Sequence, residues 1–512
     1  MNFTIANSEY FAKTDLSILR KLAGQTAIYG LSSILGRLLN YLLVPLYTRV
    51  FDTGEYGVVT QFYAYAAFLN VLFTYGLETA FFKFNQSENG RPQVYSTALI
   101  SVITSSLVLF GILAFCSPLL SGIFQAGTSQ QPSMSLYITW FAGILAADAM
   151  TAIPFARLRQ QNRAVRFAVV RLINIALNIG FNIFFLVWCP KAVVENPASW
   201  VTSVYHPGQG VGYVFLANFL ASLVTLLLLL PELRHITAGF DSGLWKKMLR
   251  YGWPLMVAGF AGMVNETFDR IMLPYLVKDP STALDQLGIY GACYKLSILM
   301  TLFVQTFRYA SEPFFFSQAS KADARQIYAR VMNWFVFSCA FIFLFVMLFL
   351  DAIQFFIGER FRSGLPVVPI LLMANLCLGV YLNLSIWYKL TGKTTWGAWF
   401  SLIGAIITLL LNFLLIPSLG FMGAAWATLV CYAAIMVISY FVGQRYYHVP
   451  YDTGAFLIAV GLALVLWGAS IYIDTLGIGT TFHHVTNTCL LLIFPAAAWV
   501  FLRRKTRKFA ER

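Results

Sequence analysis

The chain consists mainly of apolar segments that are each long enough to cross a lipid bilayer. A transmembrane helix needs about 20 apolar residues, and about fourteen segments pass this test. They lie near residues 22–46, 56–82, 94–117, 134–156, 165–189, 210–231, 250–275, 287–315, 330–352, 365–388, 395–416, 421–442, 454–473 and 484–502. Backbone polar groups in hydrocarbon must be satisfied within their own segment, so each segment is expected to be helical. The sequence therefore predicts an all-α, polytopic membrane protein with about fourteen transmembrane helices.

Composition excludes the other classes that the strongly basic charge would suggest. Only 11% of the residues are charged, whereas a soluble domain contains about 25%. The net charge of +14 would indicate nucleic acid in a soluble protein. In a membrane protein it is better explained by Lys and Arg that set topology, so we expect membrane lipid and no nucleic acid as a partner. The seven Cys have neither disulfide nor metal spacing, and no metal site is expected.

Lys and Arg also orient the predicted spans. With the N-terminus inside, about 25 basic residues fall on inner segments and only about five on outer loops. An even number of spans agrees with this split. We therefore expect both termini to be cytoplasmic.

The chain contains an internal repeat of six predicted helices. Each half begins on the inner side, so the repeats are expected to be parallel, with a substrate site at their interface. The matches are Asn40–Pro45 with Asp269–Pro274, Gly54–Gly57 with Gly288–Gly291, Glu78 with Glu312, Arg159 and Arg163 with Lys389 and Lys393, and Asn178 with Asn412.

The repeat predicts the domain organisation. Residues 1–231 form an N-lobe of six helices, 232–249 a charged cytoplasmic linker, and 250–445 a C-lobe of six helices. Residues 446–512 add two helices without a counterpart and a basic cytoplasmic tail.

The seventh predicted span carries four polar residues within its apolar run. They are Asn265, Glu266, Asp269 and Arg270. A charge at membrane depth costs about 2.5–3.5 kcal/mol on insertion scales, so such residues usually face a partner, a cavity or a substrate. Glu266 and Arg270 share one helical face at i and i+4 and can form a pair. Two interpretations stay open. The charged residues form an ion pair that holds two helices together, or they line a polar pathway.

Other polar residues within the spans extend the candidate pathway. Cations at depth suit an anionic substrate group, and Arg offers a planar fork for phosphate oxygens. The candidates for a substrate-binding cavity are Arg37, Asn40, Arg171, Arg270, Lys295 and Arg308. For Arg171, a structural pair with Asp148 between the fourth and fifth helices is the stronger alternative.

Carboxylates within the spans are candidates for ion coupling. A desolvated carboxylate can bind and release H⁺ or Na⁺, so no cofactor other than such an ion is expected. The candidates are Glu266, Asp269, Glu78, Asp148 and Glu312. Glu78 and Glu312 lie close to the inner ends, where a solvated position at the mouth is an equal alternative.

Enzyme signatures are missing, so we predict no catalytic residues. The segment Gly392–Thr394 resembles part of a phosphate-binding loop, but Trp387 replaces its first Gly. There is no His-Glu-x-x-His, Gly-x-Ser-x-Gly or Ser-His-Asp arrangement.

Several short motifs resemble a known family. Gly24–Leu31, Arg37, Pro45–Phe51 and Gly54–Gly57 resemble the start of polysaccharide biosynthesis proteins of the O-antigen flippase type. These proteins belong to the multidrug/oligosaccharidyl-lipid/polysaccharide exporter superfamily. Asp269-Arg270, Ile416-Pro417 with Gly420, and Gly423–Thr428 are similar to that family as well, so the resemblance extends to about residue 440.

The resemblance implies a fold and a function. The fold has two six-helix lobes with an alternating-access cavity, followed by two extra helices. The implied substrate is an oligosaccharide on a polyprenyl pyrophosphate, moved from the cytoplasmic to the outer leaflet of the bacterial inner membrane. Arginines line the cavity of related lipid II flippases, and Arg37 and Arg270 are the positions that suit this role. Ion coupling and polysaccharide assembly proteins as partners are further expectations.

Two other functions compete with this one. A multidrug or cation antiporter of the same superfamily normally has twelve helices and favours acidic over basic cavity residues. A membrane glycosyltransferase, O-antigen polymerase or ligase usually needs a sizeable outer loop, and the longest predicted here is only about Pro190 to Gly208.

Overall fold

The computed structural model describes residues 41–87, 91–124, 134–197, 200–234, 236, 239–476 and 480–510. Within these ranges the chain is helical and contains no β-strand. The predicted all-α class is therefore confirmed. Most of the first predicted span, residues 22–46, lies outside the described residues.

The helices follow one another with short connections. In chain order the α-helices are α1 (Leu43–Val50), α2 (Thr53–Thr74), α3 (Leu77–Ser87), α4 (Pro92–Phe115), α5 (Ser117–Phe124), α6 (Met134–Gln160), α7 (Ala164–Ile183), α8 (Cys189–Glu195), α9 (Val201–Val204), α10 (Gly212–Leu228), α11 (Leu230–Leu233), α12 (Ser242–Leu276), α13 (Ala283–Leu296), α14 (Ile298–Gln318), α15 (Ala324–Leu348), α16 (Leu350–Ile353), α17 (Val367–Leu384), α18 (Ile386–Leu390), α19 (Thr395–Leu419), α20 (Phe421–Tyr446), α21 (Thr453–Thr475) and α22 (Thr480–Ala510). A π-helical turn, Phe184–Trp188, joins α7 to α8.

The length and composition of these helices identify a multi-pass membrane protein. Among the described residues, nine helical segments are long and apolar enough to cross a bilayer. A tenth is the bent pair Pro280–Leu296 and Ile298–Gln318, which turns by 54° at its break. Three further predicted spans coincide with the shorter apolar α10, with the charge-bearing α12, and with α22. The described helices are thus consistent with about fourteen spans.

Packing divides the chain into two compact units. The first is formed mainly by Tyr65–Phe260, and the second by Val44–Ala64 and the described residues from Ala261 onward. Helices α2 and α12 each contribute residues to both units. The lobe boundaries at residues 231 and 250 stay predictions, because they rest on the sequence repeat and not on packing.

In the first unit, α4, α6, α7 and α10 form the main helix contacts. A close backbone contact fixes the break between α2 and α3. Gly76 at this break has φ +73°, and a Cβ there would lie 2.8 Å from the carbonyl oxygen of Gly252 in α12. Glycine is therefore required on both counts, the backbone conformation and the space.

In the second unit, α17, α19 and α20 form the main cluster, and α21 packs on α15. The two copies of the repeated glycine motif also meet here, where α2 crosses α13. A Cβ on Gly57 would overlap the carbonyl oxygen of Leu284, and one on Gly288 would overlap that of Thr53. The hydroxyl of Thr53 also donates a hydrogen bond to Asp285. Small residues at such crossings let two membrane helices approach backbone to backbone.

The glycine crossing predicts that Gly288→Ala lowers the melting temperature of the purified protein in detergent. The added methyl group would overlap main-chain atoms, which cannot yield unless α2 and α13 separate. Overpacking costs about 1–3 kcal/mol, which outweighs the roughly 1 kcal/mol by which Ala exceeds Gly in helix propensity. Gly111→Ala in α4 is the matched control, because nothing lies within 4 Å of the added Cβ. A Gly288→Ala protein as stable as the Gly111→Ala protein contradicts the crossing.

Candidate functional site

The polar residues of the predicted seventh span lie on one stretch of α12, within the second unit. Asp269 is 3% exposed, and its carboxylate accepts two hydrogen bonds. Tyr290 of α13 donates its hydroxyl to Oδ2 at 2.6 Å, and the backbone N–H of Arg270 donates to Oδ1 at 2.8 Å. Buried charges are stable only when they are paired and hydrogen-bonded, and Tyr290 supplies one of these contacts from a neighbouring helix.

The guanidinium of Arg270 is held in place but is poorly satisfied. Its Cζ lies 3.9 Å from the ring centroid of Tyr294, and its Nε lies 3.9 Å from Oδ1 of Asp269. Nη2 makes one long contact, 3.5 Å, with the backbone carbonyl of Glu266. Nε is buried and makes no hydrogen bond. Of the five N–H donors that a guanidinium carries, the one on Nε is therefore unused.

A second cation lies near Arg270. Lys295, in the last turn of α13, is close enough for the two positive charges to repel. Of the carboxylates on this stretch of α12, Asp269 is buried beside Arg270, whereas Glu266 is exposed. Arg270 and Lys295 therefore lie in one cluster with the carboxylates of Asp269 and Glu266, which is two positive and two negative charges.

Asn265 and Glu266 line a small polar cavity of about 120 Å³. Asn265 donates to the carbonyl of Ser401 at 3.0 Å, and the Tyr432 hydroxyl donates to the Asn265 carbonyl at 3.1 Å. Tyr381 lies on the cavity wall as well. This volume admits several water molecules, so a charge on Glu266 can be hydrated there. The spacing allowed Glu266 to pair with Arg270, but the carboxylate paired with Arg270 is that of Asp269.

Asp148 and Arg171 lie on α6 and α7 of the first unit. Asp148 accepts a hydrogen bond from Ser222 at 2.8 Å, and the Arg171 guanidinium lies 4.2 Å from the ring centroid of Phe155. They are electrostatic neighbours, but no salt bridge within 4.0 Å joins these two described residues. Both side chains are exposed within long apolar helices. Exposure of a charge at membrane depth favours contact with water over contact with lipid tails.

Glu78 and Glu312, which the repeat matches, make the same kind of salt bridge in the two units. Glu78 of α3 pairs with Arg159 at the end of α6. Glu312 of α14 pairs with Lys389 of α18, with Nζ 2.8 Å from Oε1. The repeat also matches Arg159 with Lys389, so both members of each pair correspond. Each carboxylate thus has a structural partner close to the end of its helix.

The remaining predicted site residues are not brought into these contacts. Arg308 of α14 is exposed and lies 5.7 Å from the ring centroid of Tyr309. Arg37 and Asn40 lie outside the described residues. In the described part of the chain, no group of three or more His, Cys, Asp and Glu side chains is arranged to hold a metal ion.

Sequence reasoning missed the two tyrosines that hold Asp269 and Arg270. Tyr290 and Tyr294 are spaced i and i+4 on α13, so they present one face toward α12. This spacing was visible in the sequence beside the Gly288–Gly291 motif. The spacing was not singled out because tyrosine is abundant in this chain and most tyrosines in membrane proteins lie at the lipid interface.

Comparison with known proteins identifies the family. The sequence profile of the family described as "Polysaccharide biosynthesis protein" matches residues 22–318, which is more than half of the chain. The chain belongs to the polysaccharide biosynthesis protein family. No curated protein matches this member of the family.

Solved structures show that this polysaccharide biosynthesis protein shares a transporter fold. The structure of "Lipid II flippase MurJ, inward closed conformation" aligns with 93% of this chain and 99% of its own, at 14% identity and a TM-score of 0.70. An inward-facing multidrug resistance MATE family transporter of the MOP superfamily aligns with 82% of this chain and 94% of its own, at 13% identity and a TM-score of 0.57. A point mutant of the Vibrio cholerae MATE transporter VcmN aligns with 84% of this chain and 97% of its own, at 13% identity and a TM-score of 0.51. At these identities the likeness establishes the fold alone.

The salt bridge between Glu312 and Lys389 predicts a measurable coupling energy. In a double-mutant cycle with Glu312→Gln and Lys389→Gln, the free energies of unfolding are measured in detergent. The coupling energy between the two side chains should be about 0.2–1 kcal/mol, because both are partly exposed. Glu312→Gln combined with Arg330→Gln is the control, since Arg330 pairs with Asp323 instead. The control pair should be additive. Additivity in the Glu312–Lys389 cycle as well contradicts the proposed pairing.

Proposed function

We propose that this protein is a flippase for a lipid-linked oligosaccharide. It moves a polyprenyl-pyrophosphate-linked glycan from the cytoplasmic to the outer leaflet by alternating access. Membership in the polysaccharide biosynthesis family supports the substrate class, and the fold shared with a lipid II flippase supports the type of movement. Families of this fold contain transporters, which supports a transporter over an enzyme.

The observation that carries the proposal is the unsatisfied guanidinium of Arg270. A cation within an apolar span is retained at a cost of several kcal/mol unless something uses it. Arg270 is oriented by Tyr294 and Asp269, its Nε has no hydrogen-bond partner, and Lys295 adds a second positive charge nearby. A pyrophosphate supplies acceptor oxygens for a guanidinium donor that the protein leaves unpaired.

Other cations extend the proposed substrate path. Arg270 and Lys295, which both lie in the second unit, bind the pyrophosphate, and Arg308 of the same unit contacts polar parts of the glycan. The full set of proposed substrate-binding residues is Arg37, Asn40, Arg171, Arg270, Lys295 and Arg308.

Ion coupling is proposed at the carboxylates of α12. Glu266 lines a cavity large enough for several water molecules, and Asp269 is linked to both Tyr290 and Arg270. Binding of H⁺ or Na⁺ at Glu266 would change the charge beside Arg270 and thus its affinity for the substrate anion. Glu78, Asp148 and Glu312 are secondary candidates, because each already has a structural partner.

The proposed location is the bacterial inner membrane, with both termini in the cytoplasm. Polysaccharide assembly proteins that build or extend the same glycan are the proposed protein partners.

Arg270→Ala is expected to reduce flipping at least about tenfold, which is the minimum loss for a charged hydrogen bond. Flipping is measured as surface glycan in cells that lack the chromosomal copy, and as outer-leaflet glycan in proteoliposomes. Arg270→Lys should give an intermediate flipping rate, because Lys keeps the positive charge but lacks the planar guanidinium that binds two phosphate oxygens at once. Arg330→Ala is the matched control, since Arg330 is exposed on α15 and pairs with Asp323. Normal surface glycan at equal Arg270→Ala protein level would exclude this residue from transport.

Glu266→Gln is expected to abolish the response of transport to an imposed H⁺ or Na⁺ gradient while leaving the protein folded. The substitution is nearly isosteric, and the side chain is exposed in the cavity. The measurement is glycan translocation in proteoliposomes with and without each gradient. Glu359→Gln is the control, because Glu359 is an exposed acid in a short helical turn. An unchanged gradient response removes Glu266 from coupling.

A second candidate function is antiport of multidrug or cationic substrates. The shared fold with MATE transporters favours it. Arg270 and Lys295 oppose it, because they offset the attraction of Asp269 and Glu266 for a cationic substrate. Uptake of a cationic dye in inverted vesicles discriminates the two, since only the antiporter moves the dye against a gradient.

A further inference from the structure

A cluster of three arginines surrounds one buried carboxylate at the end of the first unit. Glu232 of α11 is 2% exposed. Oε1 lies 3.1 Å from Nη1 of Arg166 and 3.6 Å from Nη1 of Arg163, and Oε2 lies 3.6 Å from Nη1 of Arg157. Neither the substrate path nor the ion-coupling carboxylates include this cluster.

The charges in the cluster do not balance. Three guanidiniums meet one carboxylate, so a net charge of about +2 remains. Each guanidinium has five N–H donors, and each uses only Nη1 toward Glu232. Nη1 of Arg157 is buried and lies too far from Glu232 for a hydrogen bond. The cluster therefore has both surplus charge and surplus donors.

Packing holds the Arg157 guanidinium in place before any ligand arrives. The Arg157 guanidinium lies 4.5 Å from the ring centroid of Tyr95, and the Tyr95 hydroxyl donates to the backbone carbonyl of Glu232 at 2.8 Å. Arg163 ends the tight turn between α6 and α7, Arg166 lies in the first turn of α7, and their side chains remain about half and one third exposed. Their open sides are thus accessible beside the guanidinium of Arg157.

The position of the cluster indicates what it binds. The distribution of Lys and Arg predicts that the turn between α6 and α7 lies on the inner side, at the level of lipid headgroups. Basic pockets between transmembrane helices on this side bind phosphate-bearing headgroups. We propose that Arg157, Arg163 and Arg166 form a binding site for the phosphate group of an inner-leaflet lipid.

Two lipids share this chemistry. One is an anionic phospholipid, which would act as a structural or regulatory ligand. The other is the pyrophosphate-linked glycan itself, bound before it enters the transport path, and this source alone rests on the proposed function.

The test measures lipid binding to the purified full-length protein in neutral detergent by native mass spectrometry. The probes are cardiolipin, undecaprenyl pyrophosphate and, as a zwitterionic reference, phosphatidylethanolamine. The wild-type protein should bind at least one of the first two about tenfold or more tightly than the reference. The double variant Arg163→Gln/Arg166→Gln should lose about tenfold of that preference.

Lys246→Gln/Lys247→Gln is the matched control, because it removes the same charge from two exposed residues of α12. Loss of cardiolipin binding in the arginine variant alone supports a phospholipid site. Loss of undecaprenyl pyrophosphate binding in that variant alone supports a substrate-loading site. Equal loss in both double variants, or loss in neither, overturns the proposal. Neither result depends on a transport measurement. The lipid site can therefore be tested independently of the proposed flippase activity.

Glu232→Gln adds a test in which the affinity for anionic lipids should rise and not fall. Removing the carboxylate that contacts all three guanidiniums raises the positive charge, so affinity for the anionic probes should increase about threefold or more. A purely structural role for the cluster predicts a lower melting temperature without any gain in affinity. If Glu232→Gln does not fold, the arginine double variant decides alone.

Discussion

The cost of placing charge in hydrocarbon accounts for most of the polar contacts described here. Asp269 is buried, but Tyr290 and a backbone N–H donate to it. Asp148 and Arg171 avoid the cost differently, because both remain exposed on their helices. Arg270 is the exception, since an aromatic face and a distant carboxylate compensate it only in part. Such a partial balance is stable enough for folding and leaves interaction energy available for an anion.

The positions of the helices could be predicted from the sequence, whereas the partners of the charged side chains could not. Apolar length determines where a membrane chain is helical, and the described parts of all predicted spans are helical. Helix α12 begins at Ser242, earlier than the apolar run, because Lys246 and Lys247 can extend a helix into water without adding hydropathy. Spacing along α12 places Glu266 beside Arg270, but it contains no information about Tyr294 on another helix.

The repeat predicted from the sequence matches the residues that form the same kind of salt bridge in both units. Glu312 follows Glu78 by 234 residues, whereas Lys389 follows Arg159 by 230. The two matched copies therefore differ by four residues in the length of chain between the carboxylate and its basic partner. The contacts of Glu232 with its three arginines, in contrast, could not be predicted from the repeat. In the sequence Glu232 belongs to a charged linker, and only the fold brings it beside arginines that lie some 70 positions earlier.

The crossing of α2 and α13 brings a duplicated motif into contact with its own copy. Gly54–Gly57 and Gly288–Gly291 meet much as two identical surfaces meet in a symmetric homodimer. Between separate molecules such an association depends on protein concentration. Joined in one polypeptide, the association is intramolecular and no longer depends on protein concentration. The contact between the two motifs therefore persists at any dilution of the protein.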